Sequence, residues 1–422
     1  MAINNLTTYF KKPVFISSLF CLFVFYSGIF KIPDRTAPKA LILSKDFSEV
    51  SGRILSSPSK TSNGKYYSAM LQLEKVADKR AVCSSASGRL KIMIPAELAE
   101  AYSPGKLSSS SREKGGAYLY ETGGRYVFKG KNTESGFYIT ECKNAFWASS
   151  FIGRLNRFRA LWRLHFKRLM FGWGEAGGLL LALLCGSREY TSQETADAFR
   201  LAGLSHILAL SGMHLSMFSA IAIFFGNRAG IKKFTFILRI ITLIVFVWFA
   251  GFSPSLTRAF ICAMLTLCAT IAGTEKPDML SILSFSFLFQ SALCPQDIQN
   301  AGFILSYGAL TGILLTGRIF SRFWTKLMPK RIASSLSAAT GAQTFTAPVS
   351  LKIFGSFSPI GIISSVIVSP LVTVFIYSGL LLIFISLIFP VLAIPSGIFI
   401  NFQYTVINRL VKLFSLVPNF HL

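Results

Sequence analysis

The feature that most constrains this chain is the uneven distribution of its hydrophobic residues. Residues 31–150 read as an ordinary water-soluble sequence, whereas most of 175–422 consists of apolar runs separated by short polar loops. Runs of about 20 apolar residues are long enough to cross a bilayer as helices. Because one region suits water and the other suits lipid, we predict a polytopic α-helical membrane bundle that carries a soluble domain near its N-terminus.

Charge adds a second constraint. Only 14% of the residues are charged, yet 43 basic and 18 acidic residues give a formal net charge of +25. An excess of this sign favours an anionic partner, either nucleic acid or lipid headgroups. The cytoplasmic loops of membrane proteins also collect Lys and Arg for topological reasons, so net charge alone leaves these interpretations open.

The N-terminal 150 residues divide into an anchor and a domain. Residues 1–30 contain an apolar run preceded by Lys11 and Lys12, which predicts an uncleaved membrane anchor with its N-terminus inside the cell. Residues 31–150 show about five short alternating runs separated by Gly-rich turns. This pattern predicts a small, OB-like β-barrel outside the cytoplasm.

Cysteine usage adds one prediction about that domain. Cys83 and Cys142 are the two cysteines of the polar region, and an extracytoplasmic location is oxidising. We therefore predict a disulfide between them.

The remaining residues divide into an interfacial helix and a membrane domain. Residues 151–172 interleave Arg and Lys with Phe, Leu and Trp at helical spacing, which predicts a basic amphipathic helix on membrane lipid; a nucleic-acid track is the alternative. Residues 173–422 are assigned to the membrane domain, with a short partial segment at 176–185. Eight longer segments follow, the first at 204–226 and the seventh at 360–389.

Loop charges predict the orientation of these segments. Loops 251–254, 295–300 and 355–358 contain no Lys or Arg, whereas the alternate loops hold Arg228, Lys232, Lys233, Lys276, Arg318, Arg322, Lys326, Lys330 and Arg331. Basic loops stay in the cytoplasm. The pattern therefore predicts a multi-pass protein of the cytoplasmic (inner) membrane with residues 31–172 outside.

Polar residues within the apolar region are candidates for a transport pathway, because a lipid-facing polar side chain is costly. Arg258 is the clearest case, and Asp297 is its predicted partner. The full set of pathway candidates is His206, Ser211, His214, Ser255, Arg258, Asp297, Asn300 and Gln343. Four residues are predicted to break helices or allow close packing: Gly212, Pro254, Pro348 and Pro370. Ordinary interhelical hydrogen bonding is the alternative explanation of these polar groups.

Catalytic motifs are sparse. The chain has only four His residues, no HxHxDH metal motif and no GxxxxGK[ST] phosphate loop, so we expect no metal, no cofactor and no enzymatic activity. Ser211 lies three residues before His214, which leaves an intramembrane serine hydrolase as a minor alternative.

Four stretches carry a resemblance to a known family. HILALSGMH, SPSLTRA, LCPQDIQNAGFILSYGA and QTFTAPVSLKIFGSFSPIGIISSVIVSPLV resemble the signature stretches of the ComEC-type competence family. The resemblance implies a channel that passes single-stranded DNA into the cytoplasm, assisted by a separate DNA receptor, nuclease and cytoplasmic ATPase. Ile304 and Ser365 depart from the family pattern, which usually has Gln and Asn there. The chain looks like a form without the metallo-β-lactamase-like domain found at the C-terminus of many members.

Two further points stay open at this stage. A transporter of another solute, or a degenerate family member with no DNA role, is the main alternative function. Aromatic residues of the barrel could stack on unpaired bases, although core packing explains them equally well. These residues are Tyr118, Tyr120, Tyr126, Phe128, Phe137 and Tyr138.

Overall fold

The computed structural model describes residues 12–27, 38–40, 47–61, 63–78, 83–100, 120–274 and 277–421. The strands are β1 (Lys39–Ala40), β2 (Phe47–Ile54), β3 (Ser59–Lys60), β4 (Tyr66–Asp78), β5 (Cys83–Ser87), β6 (Arg89–Pro95), β7 (Arg125–Thr133), β8 (Gly136–Phe146), β9 (Ser356–Phe357) and β10 (Phe420–His421). The helices are α1 (Pro13–Tyr26), α2 (Ala96–Glu100), α3 (Phe151–Gly172), α4 (Gly174–Cys185), α5 (Gln193–Leu201), α6 (Ser205–Leu208), α7 (Gly212–Arg228), α8 (Lys232–Ala250), α9 (Pro254–Ile271), α10 (Met279–Leu293), α11 (Ala301–Leu315), α12 (Gly317–Leu327), α13 (Lys330–Phe354), α14 (Gly361–Ile388) and α15 (Ala393–Ser415). Short 3₁₀ helices lie at Pro295–Gln299 and Pro390–Leu392.

Five strands close into a barrel. β2 pairs antiparallel with β4 and β7, β4 with β6, and β7 with β8, and a parallel pairing of β6 with β8 closes the ring. Side chains alternate between the inside and outside of β4, as the period of two requires. Val50, Leu71, Ile92, Phe128 and Phe137 are fully buried and fill the interior.

The barrel core changes the interpretation of the aromatic residues. Four of the six stacking candidates are buried in the core: Tyr120, Tyr126, Phe128 and Phe137. For these four residues the structure favours core packing, the other explanation that the sequence left open. Tyr138 is half-buried at the surface and makes an edge-to-face contact with Tyr66. Tyr118 lies outside the described residues.

The predicted disulfide is not formed. Cys83 is a free thiol at the start of β5, whereas Cys142 lies on β8. Two strands (β4 and β6) or three (β4, β2 and β7) separate β5 from β8, depending on the direction round the ring. Neighbouring strands are about 4.8 Å apart, and a disulfide needs Cα atoms within about 7 Å, so this separation is too large for the bond.

Helix α3 covers the same residues as the predicted amphipathic helix, but three of its basic residues lie on the inward face. Arg159, Arg163 and Lys167 point inward and are buried. The outward face instead exposes large apolar side chains, including Phe158 at 53% and Trp162 at 48%. These three basic residues therefore face neither lipid headgroups nor a nucleic acid.

The inward charges of α3 form a buried network, which we call the junction network, between barrel and bundle. Lys167 Nζ lies 2.9 Å from carboxylate oxygens of both Glu121 and Glu189. Ser57 of the barrel donates to Glu121 at 2.7 Å. Arg163 pairs with Glu121 at 3.5 Å and donates to the carbonyl of Phe249, at the end of α8, at 2.7 Å.

Charge pairing decides the protonation states of this network. Burial alone would raise the pKa of Glu121, but Lys167, Arg163 and the Ser57 hydroxyl outweigh it and hold that pKa well below its ordinary value. Burial alone would lower the pKa of Lys167, but Glu121 and Glu189 outweigh it and raise that pKa. Burial and the neighbouring Arg163 lower the pKa of Arg159 to about 10.

The centre of the bundle is α4. All of its residues from Ala176 to Cys185 are buried, and they pack against apolar side chains of α5, α14 and α15. Gly379 of α14 allows this contact, because a Cβ there would lie 2.6 Å from Leu180. The predicted partial segment at 176–185 is thus a helix enclosed by protein, which explains why it can be short.

Three predicted breaks fall differently in the structure. The predicted segment 204–226 is broken at 209–211, and Gly212 is the first residue of α7. Pro348 and Pro370 instead lie inside the continuous helices α13 and α14, so the prediction that they break these helices is wrong. Neighbouring helices and Ser or Thr side chains commonly compensate for proline in membrane helices.

The sequence predicted eight membrane segments and an anchor, but fewer helices than that are long and apolar enough to span a membrane. Within the described residues four meet both conditions: α8, α9, α14 and Pro390–Ser415. The pair α11 and α12 makes a fifth if its 58° bend lies within one span. The chain is therefore a multi-pass membrane protein in which several helices are short or polar.

Contacts at the two ends of the bundle agree with the relative sides predicted from loop charge. Lys12, at the start of α1, pairs with Asp278 at 2.6 Å, and Tyr26 at its other end donates to the Ile298 carbonyl at 3.1 Å. Arg163 of α3, which pairs with Glu121 beside the barrel, donates to the carbonyls of Phe249 and Ala250 in the bundle. The barrel and the loops 251–254 and 295–300 thus share one end, which we call the barrel end.

Candidate functional site

Arg258 lies in the first turns of α9, at the barrel end, and its side chain is 8% exposed. Its Nη1 donates to the Ser306 carbonyl at 3.1 Å, and Nη2 lies 3.6 Å from where a Cβ of Gly212 would be. Its guanidinium carbon is 5.9 Å from the ring centre of Tyr307. Buried Nε has no hydrogen-bond partner among the described residues.

The predicted Arg258–Asp297 pair is not formed. Among the described residues no carboxylate lies within ion-pair distance of Arg258. Asp297 instead accepts a hydrogen bond from Gln290 Nε2 at 3.0 Å, and the same nitrogen donates to the Pro254 carbonyl at 3.1 Å. The prediction failed because Gln290 occupies the position next to Asp297.

Ser211 and His214 form the N-terminal cap of α7. The Ser211 backbone N–H donates to His214 Nδ1 at 3.3 Å, and the Ser211 hydroxyl lies 3.4 Å from the same atom. Because Nδ1 accepts a hydrogen bond, the proton of the neutral ring is on Nε2. His214 is 1% exposed, and Nε2 has no partner among the described residues. His214 therefore presents a buried donor without an acceptor.

A polar chain on α10 and α11 completes this site. The Tyr307 hydroxyl donates to Gln290 Oε1 at 3.0 Å and lies 3.0 Å from Ser286 Oγ. Ser255 Oγ lies 2.9 Å from Ser306 Oγ. We call the whole group the Arg258 cluster. Its members are Ser211, His214, Ser255, Arg258, Ser286, Gln290, Asp297, Ser306 and Tyr307.

His206 and Gln343 lie in a second polar group. His206 follows Gly203 by three residues, and Gly203 makes a backbone contact with Gly361, since a Cβ on Gly203 would lie 2.7 Å from Gly361 Cα. Gln343 Nε2 lies 2.7 Å from where a Cβ of Gly361 would be. The His206 side chain is exposed. We call this group the Gly203 contact.

The remaining candidates have structural roles. Asn300 is exposed and caps α11, because its side chain accepts a hydrogen bond from the Gly302 N–H at 2.8 Å. Pro254 is the first residue of α9, where its missing N–H costs nothing. Thr344 and Thr346, near Gln343, donate hydrogen bonds to carbonyls one turn earlier. Helix α13 therefore continues through these polar residues.

Four residues of the Arg258 cluster were not among the predicted candidates: Ser286, Gln290, Ser306 and Tyr307. A signal was available for Gln290, since an amide in an apolar run is costly unless it is paired. The cluster offers hydrogen-bond donors, including two without a partner among the described residues, together with neutral acceptors and the Asp297 carboxylate. No group of three or more His, Cys, Asp or Glu residues within the described chain is arranged to hold a metal ion.

Fold and site together define a class: a multi-pass membrane protein with a buried, donor-rich polar cluster beneath a small β-barrel. A family model for competence proteins matches residues 183–422, which include every residue of the Arg258 cluster. The chain belongs to the competence protein family. This match also confirms the family resemblance of the four sequence stretches.

Individual relatives agree with this assignment. The chain is 27% identical over 206 residues to ComE operon protein 3 of Bacillus subtilis (strain 168), covering 49% of this chain and 26% of the relative. It is 28% identical over 211 residues to Recombination protein 2 of Haemophilus influenzae, covering 46% and 26%. An uncharacterized protein of Aquifex aeolicus is 24% identical over 311 residues, covering 71% and 70%.

The alignments with the first two relatives span about a quarter of their length. No solved structure matches the chain.

Proposed function

We propose that this protein is a component of an inner-membrane channel that passes single-stranded DNA into the cytoplasm during natural transformation. Membership of the competence family supports a role in DNA uptake. The observation that carries the finer proposal is the pair of buried, unsatisfied donors in the Arg258 cluster, His214 Nε2 and Arg258 Nε. Buried polar groups are nearly always paired, so two orphans in one cluster need an explanation.

An anionic strand explains these donors better than a structural role does. A phosphate oxygen accepts hydrogen bonds from both guanidinium and imidazole N–H groups, and Arg258 has no carboxylate partner among the described residues that would compete. A strand that must also leave needs several weak contacts, not one tight site. The neutral side chains of Ser211, Ser255 and Gln290 suit such contacts.

The Gly203 contact is proposed to continue the pathway. Gln343 Nε2 and the backbone of Gly203 both lie against Gly361, and the exposed side chain of His206 follows Gly203 by three residues. Both side chains are polar and neutral or weakly basic, so they would hydrogen-bond a passing strand without trapping it. We propose that His206 and Gln343 line this continuation, whereas Asn300 acts as a helix cap outside it.

The barrel is proposed to be an OB-fold that receives the strand. Its ring of pairings, with one parallel closure between the third and fifth barrel strands, has the connectivity of that fold. OB-folds bind single strands on a face that includes the second strand and the loops near it. Tyr66 and Tyr138 form an edge-to-face pair 5.1 Å apart on this face, and Lys131 lies opposite Tyr138 across β7 and β8.

We further propose the orientation and the partners. The barrel faces away from the cytoplasm, the N-terminus lies inside, and α3 lies in the interface with its exposed apolar face on lipid. The chain itself is proposed to catalyse no reaction, so a separate receptor, nuclease and ATPase would deliver, trim and pull the DNA.

Uptake by variants of His214 tests the proposal. In a competent host whose own channel gene is deleted, we expect His214→Phe to lower abundance-corrected uptake of labelled DNA by at least about tenfold, roughly the effect of losing one charge-assisted hydrogen bond. His165→Phe, on the exposed face of α3, is the matched control and should support wild-type uptake. Uptake by His214→Phe at the level of the control would contradict the proposal.

Base stacking on the barrel is tested separately. The purified protein should bind a fluorescent single-stranded oligonucleotide, and Tyr138→Ala should weaken binding by roughly fivefold or more, the lower range for one stacked base. Thr140→Ala, two residues along the same strand, should bind like wild type. Equal loss in both variants, or no binding at all, would reject the barrel as the receiving surface.

A further inference from the structure

Helix α12 has two parallel stripes on its outward surface. Arg318, Arg322 and Lys326 repeat every four residues and are all exposed. Their neighbours Ile319, Phe323 and Leu327 repeat with the same spacing and are 50%, 58% and 63% exposed. Residues four apart share one side of a helix, so the basic stripe and the apolar stripe run side by side.

The opposite side of α12 packs on the bundle. Gly317 is buried, and a Cβ there would lie 3.5 Å from the Ser337 carbonyl of α13. Phe320 and Trp324 are partly buried on the same side. The two stripes are therefore left over after packing, and none of the three cations forms an ion pair within the described part of the chain.

The position of α12 places these stripes at a membrane surface. α11 begins at the barrel end and runs to Leu315, so α12 starts at the opposite end of the bundle. The chain then bends by 58°. Crossing the bilayer would put three exposed cations in hydrocarbon, whereas lying along the surface lets them reach headgroups while the apolar stripe enters the acyl region.

From these observations we propose that α12 is a binding surface for anionic phospholipid at the end of the bundle away from the barrel. Three cations in a row complement a negatively charged headgroup layer. The adjacent apolar stripe favours lipid over nucleic acid, since a phosphate backbone offers no apolar layer to cover Ile319, Phe323 and Leu327. The proposal does not depend on the DNA role.

Hydrogen exchange of the full chain in lipid nanodiscs tests the proposal. In discs that contain phosphatidylglycerol, amides of Gly317–Leu327 should exchange at least about fivefold more slowly than in phosphatidylcholine discs, the factor expected for one cation near an anionic surface. High salt should reduce the difference. The variant Arg318→Gln/Arg322→Gln/Lys326→Gln should lose it.

A matched control separates this surface from general charge. The variant Arg228→Gln/Lys232→Gln/Lys233→Gln removes three exposed cations from the end of α7 and the start of α8, and it should keep the slower exchange of α12. Unchanged exchange of wild-type α12 between the two lipids would overturn the proposal without any variant. Equal loss in the control, or protection of α12 by a single-stranded oligonucleotide in phosphatidylcholine discs, would also overturn it.

Discussion

The junction network and the Arg258 cluster each bury an arginine. Among the described residues, the buried arginine has a carboxylate partner in the first and only neutral partners in the second. At the junction, Arg163 and Lys167 meet the carboxylates of Glu121 and Glu189. In the Arg258 cluster, the guanidinium meets a carbonyl, an aromatic ring and neutral polar groups. The attraction within a buried ion pair offsets part of the cost of its desolvation, whereas a buried cation without a carboxylate has no such offset.

We infer from this difference that the junction network has a structural role and that the Arg258 cluster has a binding role. The junction network joins Ser57 of the barrel, α3 and the end of α8, so its charges fix where the barrel lies. The Arg258 cluster lies at the same end of the bundle, and its donors His214 Nε2 and Arg258 Nε have no hydrogen-bond partner among the described residues. Arg163 Nε at the junction also lacks a hydrogen bond, but it lies 3.5 Å from the Glu121 carboxylate, whereas Arg258 has no carboxylate at ion-pair distance among the described residues. We infer that paired charges hold the entrance in place and that unpaired donors contact what enters.

The largest expected loss of stability follows from removing Lys167, the cation that pairs with both Glu121 and Glu189. Lys167→Met leaves Glu121 and Glu189 buried without their shared ammonium group, and it should destabilise the protein by about 3–5 kcal/mol. Arg168→Met changes the next residue, which is exposed, and should stay within about 0.5 kcal/mol. Denaturation of the purified variants measures both values. Equal stability of the two variants would show that the junction network is not structural.

The next effect is a pH dependence of the junction network. The folded pKa of Glu121 lies below its unfolded value of about 4.3, so its contribution is complete above that pH and is lost as pH falls below it. The folded pKa of Lys167 is raised, so its contribution is complete below its unfolded value of about 10.4 and is lost at higher pH. Maximum junction stability therefore lies between about pH 5 and pH 10.

The loss of stability at low pH can be compared with that of a variant that lacks the Glu121 carboxylate. Between pH 5 and pH 3, wild type should lose more than about 1.4 kcal/mol of stability through this carboxylate, the equivalent of one pKa unit. Glu121→Gln removes the titrating group and should start less stable but show a flatter dependence over the same range. Parallel pH curves for the two proteins would exclude Glu121 as the source.

A smaller effect is expected within the Arg258 cluster. Tyr307→Phe removes a hydroxyl that donates to Gln290 and contacts Ser286, and it should cost about 0.6–1.7 kcal/mol, the range for hydrogen bonds between membrane helices. Tyr377→Phe removes one longer bond of 3.3 Å to the Met217 carbonyl and should cost less. Thermal unfolding in detergent ranks the two, and the reverse order would contradict the described network.

Local patterns predicted the architecture well. Alternation in β4 and Gly-rich turns indicated the barrel, and the interleaved residues of α3 indicated a helix over 151–172. Polarity in apolar runs pointed to His214 and Arg258, which the structure brings into one cluster. Each of these inferences depends on residues close in sequence, where helix and strand periodicity apply directly.

Contacts between distant residues were beyond the sequence pattern. Periodicity placed Arg163 and Lys167 on one helix face, but only the fold brings that face against Glu121 and Glu189. The expected Arg258–Asp297 pair followed from charge alone and overlooked the neutral Gln290. Proline content suggested a break at Pro370, yet packing on α4 keeps α14 continuous, because tertiary contacts override local propensity.

The most direct test compares Arg258→Gln with Lys167→Met in a competent host that lacks its own channel. Arg258→Gln should keep near-normal abundance, because Arg258 has one described hydrogen bond and no ion pair among the described residues, and it should lose at least about tenfold in uptake of labelled DNA per molecule. Lys167→Met should lower abundance while each surviving molecule keeps its uptake. Wild-type uptake per molecule in Arg258→Gln would contradict the assignment of the Arg258 cluster to the DNA pathway.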